Sequence, residues 1–341
     1  MGQIGTIPAI HAVQLADVLG LPAEELFAGT ELTRDTATHH GARMSVAELE
    51  RVVARARELS GEPALGLLVG LGMRVSGHGD LGFAVMTAPT ARAALELAVR
   101  FAPTRTDVIA LRLHEQGGAA AIVLDELVSL GSARDAVLFA LGVGIWQIGN
   151  ALTGRELSGA ADFTFEEPGY FERFRAVAPG PIRFGQPQNQ LVFDSATLEL
   201  PFLFADPAAS RLASEHCEEQ LRVLRRGAHL VVETRALVLD HHLPEVARRL
   251  HLSERTLKRR LAAHGTSVSR LRAEQRLERA LVLLRSGALS VQQIADLLGY
   301  ADVANFTRAF RRWTGLTPGA YRRGDAARPG EPATTACEPE R

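Results

Sequence analysis

"SVQQIADLLGYADVANFTRAFRRWTGLTP" spans Ser290–Pro318, and "LPEVARRLHLSERTLKRRLAAHG", Leu243–Gly265, is a looser copy of it upstream. Glu245-Val246-Ala247 answers Gln293-Ile294-Ala295, and Leu257, Arg259 and Leu261 answer Phe306, Arg308 and Phe310. In the earlier copy Pro244 suits the first turn of a short helix ending near Leu250. Ser253 then caps a second helix, which Gly265 ends. On that second helix Leu257, Leu261 and His264 share one face at i, i+4 and i+7, and Arg255, Lys258, Arg259 and Ala262 share the other. A short helix with an exposed basic face, held across a tight turn by another short helix, is the helix-turn-helix arrangement.

The later copy follows the same plan. Asp302 caps, Phe306, Phe310 and Trp313 face inward, and Ala304, Thr307, Arg308 and Arg311 face outward. The outward set is less basic and begins with alanine, so this copy is expected to read fewer bases and hold more backbone. Between the copies, "SVSRLRAEQRLERALVLLRSG" (Ser267–Gly287) reads as one helix of about 19 residues, roughly 28 Å long. Successive major grooves on one face of a duplex lie about 34–36 Å apart. A rigid spacer of this size lets one chain offer both second helices to adjacent grooves.

Charge agrees with that reading. The 341 residues carry a net charge of −1, but Arg235–Arg323 holds 17 Arg and Lys against 7 Asp and Glu, and Met1–Thr234 holds 19 against 28. A neutral chain therefore splits into an acidic body and a basic end, which points to a polyanion as partner. Lys258 is the single lysine, a sign of a GC-rich bacterial genome. The two cysteines, Cys217 and Cys337, lack metal or disulfide spacing and fit a reducing compartment. No apolar run is expected to be long enough to span a membrane, and no secretory signal is read at the N-terminus, so a cytoplasmic location is expected.

The first 200 residues read as an α+β domain. "HAVQLADVLG" and "SVAELERVVARARELSG" are helical, with Gly20 and Gly61 as stops, and residues 11–60 read as helices throughout. Thr90 caps "ARAALELAVRF". Gly117-Gly118 separates two β-rich runs as a hairpin turn, "DAVLFALGVGIWQIGNAL" is a buried helix, and "ADFTFEE", "PIRFGQ" and "QLVFDSATLEL" are short strands. The polar stretch from Asp206 to about Gly227 reads as a connecting helix, all that follows to Tyr321 as helical, and the tail as disordered. The expected division is a sensing domain over 1–212, a connector over 213–227, a DNA-binding domain over 228–324 and a tail over 325–341.

The stretch 228–324 resembles the DNA-binding domain of the AraC/XylS family of bacterial transcription regulators. The motifs that carry the resemblance come in order: "LSERTLKRRL", "RLERALVLL", "SVQQIADLLGY" and "NFTRAFRRWTGLTPGAYRR". The front domain, over about residues 10–212, is similar to the sensor of the branch of that family named for arabinose binding. There the likeness rests on packing and turn residues in "SVAELERVVARARELSGEPALGLLVG", "GDLGFAVMTAPTARAALELAVRF" and "IRFGQPQNQLVFDSATLELPF", which do not establish a sugar as ligand. The resemblance implies that the outward positions of both second helices contact DNA.

Candidate DNA contacts are Arg255, Lys258 and Arg259 in one groove and Asn305, Thr307, Arg308 and Arg311 in the next. Trp146, Gln147 and Asn150 place polar tips in a very apolar helix, either satisfied within the core or lining an effector cavity. "GHGDLG" (Gly77–Gly82) fits G-x-G-x-x-G, but the next helix is expected only near Thr90 and no βαβ unit follows, so it reads as a glycine turn. The adjacent pairs His39-His40 and His241-His242 diverge on a helix, and no metal or cofactor is expected. Glutamates around Cys217 are expected to raise its thiol pKa.

The composite expectation is a sequence-specific regulator acting on double-stranded promoter DNA. An unidentified small-molecule effector is expected at its front domain, with RNA polymerase and a second copy of the chain as further partners. Two rivals belong to other classes. A nonspecific architectural binder predicts steep salt dependence without sequence preference. An enzyme with a DNA-targeting tail needs reactive cysteines near the N-terminus, and the first 216 residues contain none.

Overall fold

The computed structural model describes residues 5–39, 41–176, 178 and 180–323. Two compact units meet in sequence between Leu224 and Arg225. Cys337, the tail 325–341 and His40 lie outside the described residues.

The earlier unit opens with β1 (Thr6–Pro8), paired antiparallel with β2 (Arg43–Ser45). Around them run α1 (Ile10–Leu19), α2 (Ala23–Leu26), α3 (Arg34–Thr38) and α4 (Val46–Ser60). Gly20 and Gly61 end α1 and α4 in the left-handed conformation, and Ser45 and Glu48 form a capping box. The three-residue strand β2 breaks the all-helical expectation for residues 11–60; a segment that short has too little period to be seen in sequence.

Next come α5 (Leu65–Leu71), α6 (Gly79–Met86) and α7 (Ala91–Arg105). Thr90 caps α7, its side chain accepting from the Ala93 amide. The expectation that the helix after "GHGDLG" begins only near Thr90 is corrected by α6, which opens inside that motif. A short 3₁₀ turn at Val75–His78 precedes it rather than a strand, so the glycine turn stands without a dinucleotide fold.

The hairpin of β3 (Ile109–Gln116) and β4 (Ala119–Glu126) turns on Gly117 and Gly118, whose φ values of 60° and 84° suit a two-residue hairpin turn. After α8 (Arg134–Thr153), β5 (Gly159–Asp162), β6 (Ile182–Arg183) and β7 (Gln190–Asp194) complete a sheet of order β3-β4-β7-β5-β6. Its neighbours are antiparallel except the parallel β5–β6 pair.

Residues Gly131–Thr153, α8 and the turn before it, do reach the length and apolarity of a membrane span, with a mean hydropathy of 1.5, which corrects the expectation that no segment does. Here the segment supplies core instead. Leu138, Phe139, Val143 and Trp146 are buried in the main cluster. The Phe139 ring lies 4.9 to 6.1 Å from those of Phe163, Phe165, Phe171 and Phe184. α5 crosses α8 at close range because Gly66 has no side chain: a Cβ there would stand 2.2 Å from the Ala136 carbonyl oxygen.

α9 (Pro207–Leu237) is a single helix carrying the chain from one unit into the other. The Asp206 carboxylate caps it, accepting from the amides of Ala208 and Ala209. It runs ten residues past Gly227, where the connector was expected to end.

The later unit holds α10 (Leu243–Arg249), α11 (Glu254–Ala263), α12 (Val268–Ser286), α13 (Val291–Leu297), α14 (Val303–Thr314) and α15 (Pro318–Arg323). It has two small cores. Leu257 and Leu261 of α11 meet Val246 and Ala247 in one; Phe306 and Phe310 of α14 meet Ile294 and Ala295 in the other. α12 serves both, giving Val268 and Leu271 to the first and Leu277, Ala280 and Leu284 to the second. Its 19 residues match the spacer expected from the sequence.

Candidate nucleic-acid interface and sensor cavity

The two helix pairs are closed by the same turn. After α10, the His251 amide donates to the Arg248 carbonyl and the Leu252 amide to that of Ala247, at 3.1 and 2.9 Å; after α13, Gly299 and Tyr300 do the same to Asp296 and Ala295, at 3.1 and 3.0 Å. Both are Schellman closures, with His251 and Gly299 in the left-handed position. Ser253 then caps α11 through the Thr256 amide, and Asp302 caps α14 through that of Asn305. Each second helix is thereby fixed at a set angle to the first, with its outer face in solvent.

On α11, Arg255, Lys258 and Arg259 are all exposed. Among the described residues no carboxylate lies within ion-pair distance of any of the three, whereas several arginines elsewhere in the unit are ion-paired. Arg248 and Arg249 share Glu245, and Arg235 and Arg270 share Glu274. Arg272 donates to the carbonyls of Val238 and His241, bracing α12 against the end of α9. These five arginines are engaged within the unit. Those on the α11 face are left with uncompensated charge, which suits phosphate oxygens or guanine edges.

α14 offers a quieter surface. Arg308 and Arg311 are exposed, while Asn305 and Thr307 are half-buried. Asn305 is tied into the cap: its Nδ2 donates to Asp302 at 3.0 Å, and Arg308 donates to its Oδ1 at 2.5 Å. These four residues share one helix, as do the three on α11, and α12 bridges the cores beneath the two helices.

Comparison with known proteins agrees with this geometry at both ends. Residues 20–202 match the family described as the arabinose-binding domain of AraC transcription regulator, N-terminal, and residues 246–324 match a helix-turn-helix domain family. The chain is 31% identical over 325 residues to the ornithine utilization regulator of Pseudomonas aeruginosa, covering 93% of this chain and 96% of that one. The chain belongs to the AraC family of transcription regulators.

An HTH-type transcriptional regulator of Mycobacterium tuberculosis is 30% identical over 331 residues, covering 91% of this chain and 93% of the relative. The crystal structure of the transcriptional regulator CdpR from Pseudomonas aeruginosa aligns at a TM-score of 0.46 and 23% identity, over 92% of this chain and 97% of that one. This AraC-family chain is a sequence-specific DNA-binding transcription factor with an α+β front domain, and the families and relatives it matches are regulators.

The front domain of this AraC-family protein holds two adjoining cavities, of about 210 and about 140 Å³. Of the three effector candidates on α8, Trp146 lines the larger, while Gln147 and Asn150 line neither. The polar tips of Trp146 and Asn150 are satisfied locally: the indole donates to the Leu157 carbonyl at 3.2 Å, and the Asn150 Oδ1 accepts from the Leu157 amide at 2.9 Å. Sequence reading missed the polar groups that line both cavities, His78, Arg105 and Thr106. Burial holds the His78 imidazole down at about 3, and burial lowers His11 beside it; the two rings lie 5.9 Å apart. Burial pushes the Cys217 thiol up to about 11, with Asp80 and Glu218 contributing less. The expected direction was right, but the first cause is the contact with Leu81, Phe101 and Leu221.

Proposed function

We propose that this regulator reads two half-elements of promoter DNA with one chain. α11 enters one major groove through Arg255, Lys258 and Arg259, and α14 enters the next through Asn305, Thr307, Arg308 and Arg311. The observation that carries this reading is the unpaired, exposed basic face of α11, set against arginines that are ion-paired elsewhere in the same unit. α12, at roughly 28 Å, spans most of the 34–36 Å groove repeat, and the width of the flanking helices supplies the remainder. In this reading the DNA-binding module is 228–324, and the sensing module is 1–212 with the connector at 213–227.

The cavities support control by a small-molecule effector in the sensing domain. A ligand there presses on α6 and α7, against which Cys217 and Leu221 of α9 pack. α9 continues into the DNA-binding unit without a break, so it is the route by which occupancy alters presentation of the reading helices. Working as a transcription factor places the protein in the bacterial cytoplasm with RNA polymerase as a further partner, and a second copy of the chain is the natural partner at paired sites. The relative named for ornithine utilization makes an amino acid one effector class to compare.

A binding selection on random duplex DNA, at physiological salt and with the full-length chain, tests the DNA reading. Enrichment of two half-elements about 10 bp apart is expected. Enrichment of a single half-element would overturn the two-groove arrangement, and retention without any motif would favour an architectural binder.

A further inference from the structure

The cavities of the sensor domain are chemically one-sided. The larger lies between α6, α7, α8 and the sheet, with Leu81, Val85, Ala94, Ala98, Ile145 and Leu152 in its wall. Neither chamber is lined by any Asp or Glu. A bound amine or guanidine would find no counter-charge there, and a sugar would leave most of its hydroxyls unpaired against aliphatic walls. The exception to this apolar character sits where the chambers meet.

Arg105, the last residue of α7, lines both. Its Nε is buried without a hydrogen-bond partner, and its Nη2 makes only a long 3.5 Å contact with the Gly77 carbonyl. Among the described residues no carboxylate is within ion-pair distance of it. Asp80 acts on it from farther off and is itself held by Gln220 at 2.6 Å. His78 and His11 beside it are kept neutral by burial, and the His11 Nδ1 is engaged by Gln14 at 2.8 Å. Arg105 therefore brings the one formal charge to the shared lining, and a desolvated guanidinium is a planar donor for a carboxylate.

We propose that this paired chamber binds an aliphatic monocarboxylic acid, its carboxylate on Arg105 where the chambers meet and its chain in the larger one. The proposal rests on the reading of the front domain as the effector sensor and names the class of effector. The smaller chamber takes a branch or the far end of a longer acid.

The test uses the full-length protein, with calorimetric titration and thermal unfolding as readouts and decanoate below its micelle concentration as probe. Decanoate is expected to bind and to raise the melting temperature. 1-Decanol, with the same chain and no charge, is expected to bind about ten- to hundred-fold more weakly. Arg105→Gln is expected to remove that difference by weakening decanoate alone, and Arg105→Lys to restore part of it. Ala98→Met, which narrows the larger chamber, is expected to weaken decanoate more than hexanoate, and it keeps the test open should Arg105→Gln fail to fold.

Equal binding of decanol and decanoate, or undiminished binding by a folded Arg105→Gln, would overturn the proposal; so would preference for L-arabinose or a diamino acid. Measuring affinity for the selected DNA in the same samples separates the two readings. Decanoate held by Arg105 with no change in DNA affinity bears out the ligand class and refutes sensing at this site. Sequence-specific DNA binding with no decanoate binding refutes the ligand class alone.

Discussion

His251 is the single described residue other than glycine with a left-handed backbone, at φ 53°, and its counterpart in the second helix pair is Gly299 at φ 75°. Side chains in that conformation cost about 1–2 kcal/mol, so the first turn carries strain that the second avoids. His251→Gly is expected to stabilise the later unit by about 0.5–1 kcal/mol, and Gly299→Val to destabilise it by at least as much, as read by chemical unfolding. Arg259→Ala is expected to weaken binding to the selected site by about 1–3 kcal/mol and to relax preference at one base pair; wild-type affinity in that variant would sink its assignment. His78 makes a separate prediction. Its imidazole takes a proton near pH 6.5 when unfolded but only near pH 3 in the fold, where burial above all, and then His11 and Arg105, oppose the charge. Its contribution is thus complete above pH 6.5 and lost as pH falls towards 3, at about 1.4 kcal/mol per pH unit, and His11 adds a loss of the same sign. The unfolding transition of the earlier unit should drop on acidification from pH 7 to 5, and His78→Asn should flatten that dependence.

α12 is the element on which α11 and α14 depend jointly, because its ends belong to different cores. Inserting one alanine between Gln275 and Arg276 advances the second core by about 100° of rotation and 1.5 Å of rise. Circular dichroism is expected to change little, while affinity for the two-part site falls towards that of a single half-element. Elements of this kind were legible in the sequence because they announce themselves locally. Ser253, Asp302 and Thr90 cap helices where they were expected to, and Gly117-Gly118 turns the hairpin. β1 and β2 were not legible, since three residues held by pairing across 37 positions leave no periodic trace. α6 was hidden by its glycines, which lower helix propensity and here permit close approach: a Cβ at Gly82 would lie 2.0 Å from the Val75 carbonyl oxygen. The cavity was hidden more deeply. Arg105 is one of 37 arginines, and only tertiary packing shows that its Nε has no partner.

At the scale of the whole molecule the charge is divided, with the basic face of α11 inside a segment whose formal charge contrasts with that of the acidic front domain. Affinity for DNA should therefore fall steeply with salt, by a slope of roughly 0.9 in log–log terms per phosphate contacted. Each of Arg255→Ala and Arg311→Ala is expected to reduce that slope by about one if its side chain meets a phosphate. The composition that left a single lysine in 341 residues left it on the α11 face, exposed. Apart from the chain terminus, the protein thus has one primary amine for an acylating reagent to find. Mild acetylation should act as a point modification of the proposed DNA-reading surface, detectable by mass as one added group on the peptide that carries Lys258. Cognate duplex should shield that amine, and Lys258→Arg should keep the charge while abolishing the modification at this position, so a reagent ordinarily too blunt to report on an interface becomes a site-specific one here.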